Sequence, residues 1–169
     1  SLDSVSRMWI PMLIVEIPVI ALLGETVARI GARGLLATGV IAGGLRWLIC
    51  GLSSDLNWIF AAQILHGITV AGLLLGSPLY VEAVVPERLR STGQGLLAMV
   101  GVGLGGISSY LSAGWLFENV GPDAPYLAGG IGALLLGCAI PLIIPPAVRV
   151  APVDDEKTPT SAPRQTRNA

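Results

Sequence analysis

"NWIFAAQILHGITVAGLLLGSPLYVEAVV", residues 57–85, is 29 residues long and holds one acid, Glu82, one histidine, His66, and no lysine or arginine. A membrane crossing needs about 20 mostly apolar residues. The rest of the chain decides between a buried core helix and a membrane span. It is 53% hydrophobic and 12% charged with a mean hydropathy of +0.73, against about 25% charged residues in a soluble domain. There is too little polar surface to coat a globule, so the stretch reads as a span.

Four more stretches qualify on the same terms: 8–28, 35–53, 94–117 and 126–148. The expected architecture is an all-α membrane protein with a five-helix bundle over 8–148. Residues 1–7 read as an outer-side loop or the remnant of a preceding helix. Residues 149–169 are polar and rich in Pro and charge; they lack the apolar surface to fold and read as a disordered tail. The chain begins with Ser1 and carries no signal-peptide pattern, so it reads as a fragment or a processed chain.

Lysine and arginine in short loops orient a membrane protein, because basic loops stay cytoplasmic. Loop 29–34 carries Arg29 and Arg33, loop 86–93 carries Arg88 and Arg90, and Arg149, Lys157, Arg164 and Arg167 follow the last span. The alternate loops carry Asp55, Glu118 and Asp123 without a base. Both basic loops and the C-terminus are therefore expected in the cytoplasm, in the cell (inner) membrane, leaving Arg7 outside.

Other function classes find little support. No basic stripe with interleaved aromatics points to nucleic acid. Cys50 and Cys138 lie in apolar runs and read as small lipid- or core-facing residues, so neither metal nor cofactor is expected. "GVGLGG", Gly101–Gly106, matches a dinucleotide fingerprint only formally, since it lies mid-span without a preceding strand. It reads as packing glycine. Pro11, Pro18, Pro78 and Pro141 are expected to kink their helices.

Three titratable residues lie deep. Glu16 precedes Arg29 by 13 residues and Arg46 follows Arg33 by 13, which puts each roughly 20 Å from the same cytoplasmic loop. His66 lies 11 residues past Asp55, roughly 16 Å from the outer side. In a core about 30 Å thick, all three fall near the midplane on successive helices. An isolated charge there costs at least ~2.5 kcal/mol, so the acid and the guanidinium are expected to offset one another. His66 and the Gln63 amide, three residues apart on one helix face, can join them. The alternative is a purely structural Glu–Arg pair with a hydrogen-bonded histidine. Glu25 and Glu82, nearer the cytoplasmic ends, are expected to pair with the loop arginines.

These residues, in this order, resemble the C-terminal half of the major facilitator superfamily. The likeness is to its proton-symport branch with lactose permease, phenylpropionate-type permeases and nucleoside–proton symporters. "VEIPVI" with Glu16 resembles that branch's eighth helix, and "GLRWLICGL" with Arg46 the ninth. "QILHG" with Gln63 and His66 resembles the tenth. "GETVARIGARGLL", with Gly24, Arg29, Gly31 and Arg33, is similar to the family's cytoplasmic loop motif, and "PERLRSTGQGLL", with Arg88 and Arg90, to the loop into the eleventh.

The resemblance implies helices eight to twelve of a twelve-helix fold, with substrate and proton binding at Glu16, Arg46, Gln63 and His66. It also implies a missing N-terminal half as structural partner. Lactose permease has a second acid one turn beyond the histidine, where this chain has Thr69, which leaves Glu16 as the best remaining proton carrier. The function expected is the C-terminal part of a proton-coupled symporter of a small polar solute: sugar, nucleoside or aromatic acid. The alternatives are a non-transporting membrane scaffold and an intramembrane enzyme using His66.

Overall fold

The computed structural model describes the backbone of residues 2–146 and the side chains of 14, 16–18, 21 and 29–146. The expected tail 149–169 lies outside the described residues, and so do most side chains of the expected first span, 8–28. Helical backbone starts at Leu2 and runs to Leu52 as α1, interrupted at one residue, Gly31, with φ 68° and ψ 173°. The expected loop 29–34 is therefore a one-residue break. It is a chain reversal. Glu16 and Arg46 both act electrostatically on the His66 ring, yet on an unbroken helix they would stand ~45 Å apart. A positive φ with ψ near 180° is open to glycine almost alone.

Four helical segments among the described residues are long and apolar enough to cross a membrane: Arg29–Leu52, Leu56–Val84, Glu87–Asn119 and Ala124–Ile143. The Arg29–Leu52 segment begins before the expected 35, and the Glu87–Asn119 segment before the expected 94. Many of their large apolar side chains are exposed, Leu142 at 87% and Tyr110 at 83%. Lipid takes the place of a core for such residues.

The second arm of α1 is the centre of the described bundle, and small residues form both of its seams. On one side it meets the third span, built from α2 (Leu56–Ala62), α3 (Ile64–Leu74) and α4 (Gly76–Val84). A Cβ at Gly39 would stand 2.6 Å from the Gly72 Cα, and one at Gly76 3.0 Å from the Leu36 nitrogen. On the other side it meets α7 (Ala124–Ile143). Here a Cβ at Gly44 would stand 3.0 Å from the Gly130 carbonyl oxygen, and one at Gly137 2.5 Å from the Ile41 side chain. Lipid supplies no hydrophobic drive between helices, so such backbone approach carries the association.

The Glu87–Asn119 segment is a 3-10 turn (Glu87–Leu89), then α5 (Arg90–Ala98), a π-helical stretch (Met99–Leu104) and α6 (Gly105–Asn119). None of its apolar window is buried within the chain. Of the glycines of "GVGLGG", Gly101, Gly103 and Gly106 have nothing within 4 Å of a Cβ position among the described residues. Gly105 has its own Val100 carbonyl at 3.3 Å, and its N–H bonds that oxygen, the five-residue step of a π-turn. The proline expectation holds at one site. The third span breaks at Leu75, beside the Leu74 carbonyl that Pro78 cannot serve and crowds. Helical assignment runs on through Pro11 and Pro18. Pro141 lies inside α7, two residues before its end at Ile143.

Two substitutions separate close approach from open space. Gly72→Ala should destabilise the intact protein by about 1–3 kcal/mol, because the new methyl meets Gly39 backbone. Gly114→Ala, with nothing within 4 Å, should be neutral or slightly stabilising. Thermal unfolding in detergent micelles reads both. Gly31→Ala meets no atom and should still cost about 1–3 kcal/mol; an unchanged midpoint would contradict the conformational argument.

Candidate functional site

Arg46, on the second arm of α1, is half-buried, and its Nε is fully buried with no hydrogen-bond partner. His66, near the start of α3, is also half-buried, with Nδ1 in the same state. These two nitrogens are what the described residues show of buried side-chain donors or acceptors left open. His66 lies within electrostatic reach of both Arg46 and Glu16. The reversal at Gly31 brings the first arm to the second, and the Gly39–Gly72 seam brings the second to α3. Of the four expected substrate and proton residues, Glu16 and Arg46 thus lie within electrostatic reach of a third, His66.

Gln63 is the fourth, and its role differs from a simple partner of His66. It is buried, 8% exposed, at the break between α2 and α3. Its backbone N–H bonds the Phe60 carbonyl at 3.1 Å, and the His66 N–H bonds the Gln63 carbonyl at 3.0 Å. Both are three-residue steps, so the helix tightens locally. That tightening draws the Gln63 N–H away from the Ile59 carbonyl. The Gln63 side chain restores the bond, with Nε2 donating to Ile59 O at 3.2 Å. Thr69, which stands where the resemblance led to an acid, donates its hydroxyl to Leu65 O at 2.9 Å. The sequence reading missed one neighbour: Cys50 is half-buried one turn past Arg46 and feels its charge.

The loop residues separate into two groups. Arg29 and Arg88 are exposed, and Gly24 lies in the helical backbone of the first arm. Arg33 reaches across the bundle, donating from Nη1 to Ile144 O at 3.1 Å and Pro141 O at 3.5 Å. It thereby caps the C-terminal end of α7, where open carbonyls and the helix dipole favour a cation. The Tyr80 hydroxyl donates to Pro145 O at 3.1 Å beside it. Arg90 bonds Val85 O at 3.4 Å. The partners found for Arg33 and Arg90 are backbone carbonyls, not Glu82 as expected. Glu25 lies among the residues whose side chains are not described.

Comparison with known proteins bears on this arrangement. A model of the MFS_1 like family matches residues 2–128. The chain belongs to the major facilitator superfamily. It is 28% identical over 137 residues to a maltose permease of Geobacillus stearothermophilus, covering 80% of this chain and 34% of that one. It is 30% identical over 124 residues to a probable 3-phenylpropionic acid transporter of Escherichia coli (strain K12), covering 72% of this chain and 32% of that one. The chain thus spans about a third of the length of these relatives. No solved structure shows a significant match. Family membership and the apolar helices make it an integral membrane protein, and the all-α fold is the one expected.

The Arg33 cap can be tested by itself. Arg33→Gln should loosen the end of α7 by about 1 kcal/mol, read as roughly fivefold faster amide exchange at Ile140, Leu142, Ile143 and Ile144. Arg33→Lys should recover only part of the protection, since a point charge cannot span two carbonyls as a fork does.

Proposed function

We infer that the intact protein is a proton-coupled symporter of a small polar solute. In this reading the chain supplies five C-terminal helices, equivalent to helices eight to twelve of a twelve-helix carrier. A preceding half of the same carrier is their structural partner. The observation that carries the reading is the pair of buried, unpartnered nitrogens of Arg46 and His66 on two closely packed helices. Both relatives are named as carriers, which favours transport over the scaffold and enzyme alternatives. The substances in their names fall in two of the solute classes expected, sugar and aromatic acid.

The mechanism follows from charge at low dielectric. Glu16 carries the proton, and Arg46 binds the substrate with His66. In this reading the charges of Glu16 and Arg46 offset one another when no substrate is present. Substrate that engages Arg46 takes that partner from the acid, so proton and substrate binding assist each other. By reciprocity, protonation of Glu16 frees Arg46 for substrate. Gln63 keeps the tightened turn that sets the position of His66. The basic loops, with Arg29, Arg33, Arg88 and Arg90, and the tail face the cytoplasm of the inner membrane.

Glu16→Gln mimics the protonated acid and should abolish accumulation against a gradient while sparing equilibrium exchange. Arg46→Ala should lose both, because it removes the donor fork and strands an acid. Gradient-driven uptake and exchange by the intact protein in proteoliposomes distinguish them. Wild-type accumulation in Glu16→Gln would return Glu16 to a structural partner of Arg46. For orientation, a cysteine at Ser91 should label from the cytoplasmic side and one at Ser53 from outside.

A further inference from the structure

We propose that residues 76–98 form one rigid hairpin, tied by Gln94, that turns about two pivots set at equal depth. The pivots are Leu75 in the third span and the π-helical stretch Met99–Leu104 in the fourth. Neither a proton nor a particular solute is needed for this motion. The arms of the hairpin are α4 and α5, joined through the turn at Glu87–Leu89. Ties at successive levels join them. Gln94 donates from Nε2 to Pro78 O at 3.0 Å. A Cβ at Gly93 would stand 3.0 Å from Val81 Cγ1, so the α5 backbone lies directly against the Val81 side chain. Arg90 donates from Nε to Val85 O at 3.4 Å, and the Leu89 N–H closes the turn on Pro86 O at 2.8 Å. An amide in lipid has no water to turn to, which favours the Gln94 bond between the two spans.

Both spans depart from regular helix at the same level. Leu75 lies 10 residues before Val85, and Met99 lies 9 after Arg90, roughly 15 and 14 Å from the loop. At Leu75, with φ −102° and ψ −42°, the ladder lacks the bond that Pro78 cannot give to the Leu74 carbonyl. At Met99–Leu104 the helical step widens, and Gly101 and Gly103 meet no described atom that would fix the angle. Prolines and π-turns are where helices bend. Beyond this level α3 is held by the Gly39–Gly72 seam. Beside the pivot, Gly76 rests on the Leu36 backbone. The hydrogen bond found from the hairpin to the end of α7 is that of the Tyr80 hydroxyl to Pro145 O, and it is exposed. A neutral exposed bond exchanges readily for water, so Tyr80 is a releasable latch. A bend of about 20° at the pivots, on a lever of roughly 15 Å, moves the loop end by about 5 Å.

The test uses the intact protein in lipid nanodiscs, with nitroxide labels on introduced cysteines and the other cysteines replaced. Double electron–electron resonance reads the distances. Ile30→Cys with Ser91→Cys reports the loop end against the second arm of α1. Glu82→Cys with Thr92→Cys reports the hairpin itself. The first pair should show two populations separated by about 5 Å, and the second pair a single one. Tyr80→Phe should raise the displaced population about threefold or more. Pro78→Ala restores the missing N–H and should merge the two populations. Gln94→Ala should broaden the Glu82–Thr92 distance, because the arms then move separately.

A single Ile30–Ser91 distance that Tyr80→Phe leaves unmoved would overturn the pivoting hairpin, and so would two populations that persist in Pro78→Ala. A wild-type Glu82–Thr92 distance that varies as widely as the first pair would overturn its rigidity, and one left sharp by Gln94→Ala would overturn the tie. None of these distances depends on uptake, so the symport reading stands or falls apart from them.

Discussion

Everything in this bundle follows from the absence of water in the bilayer core. Backbone polar groups must be satisfied within each helix, and helices gain nothing by hiding leucine from lipid that is equally apolar. What remains is dispersion between closely approaching backbones. The second arm of α1 meets that constraint on two faces at once. Gly39 and Gly76 hold the third span on one side, and Gly44 and Gly137 hold α7 on the other. Large apolar residues such as Leu142 and Leu135 then point outward, the reverse of a soluble domain.

The same packing gives the charged cluster its precision. Arg46 sits one helix turn past Gly43, whose Cβ position would stand 3.1 Å from Thr69. His66 lies one turn before Thr69 on α3. The seam therefore fixes the helix that carries the guanidinium against the helix that carries the imidazole. The Arg33 and Tyr80 bonds to the end of α7 tie the same helices together at the other end. A displacement of either neighbour is transmitted to the site through a rigid contact, since glycine offers no side chain to absorb it.

The sequence made the spans legible because the bilayer sets their length and a charge is expensive inside them. It also led to a similar depth for Glu16, Arg46 and His66, an expectation that rests on a constant rise per residue. It was less informative where backbone hydrogen bonding decided the outcome. Nothing in "RIGARG" distinguishes a six-residue loop from two helices meeting at Gly31. The commitment of Gln63 to Ile59 O depends on a local change of helical step that no periodicity announces. Glu82 was expected to pair with a loop arginine, yet the partners found for Arg33 and Arg90 are carbonyls, because helix ends present open acceptors close by. Pro78 breaks its helix because its ring crowds the carbonyl four residues back.

Two departures from regular helix stand apart from the rest. The tightened turn at Gln63 and the widened one at Met99–Leu104 lie on neighbouring spans. The first is stabilised by a side chain that replaces the lost backbone bond. The second exists because Gly105 lets the Val100 carbonyl approach where a side chain would press on it. Each redirects the side chains beyond it relative to those before it. In a regular helix, His66 would keep the direction set by Phe60 and Ala62, with its ring advanced by a fixed 100° per residue. The three-residue steps shift that phase, so the direction of His66 is set by Gln63 rather than by the span as a whole. A buried glutamine in lipid is then explained without a ligand of its own, and the histidine beside it is a residue whose aim the protein fixes independently of helix packing.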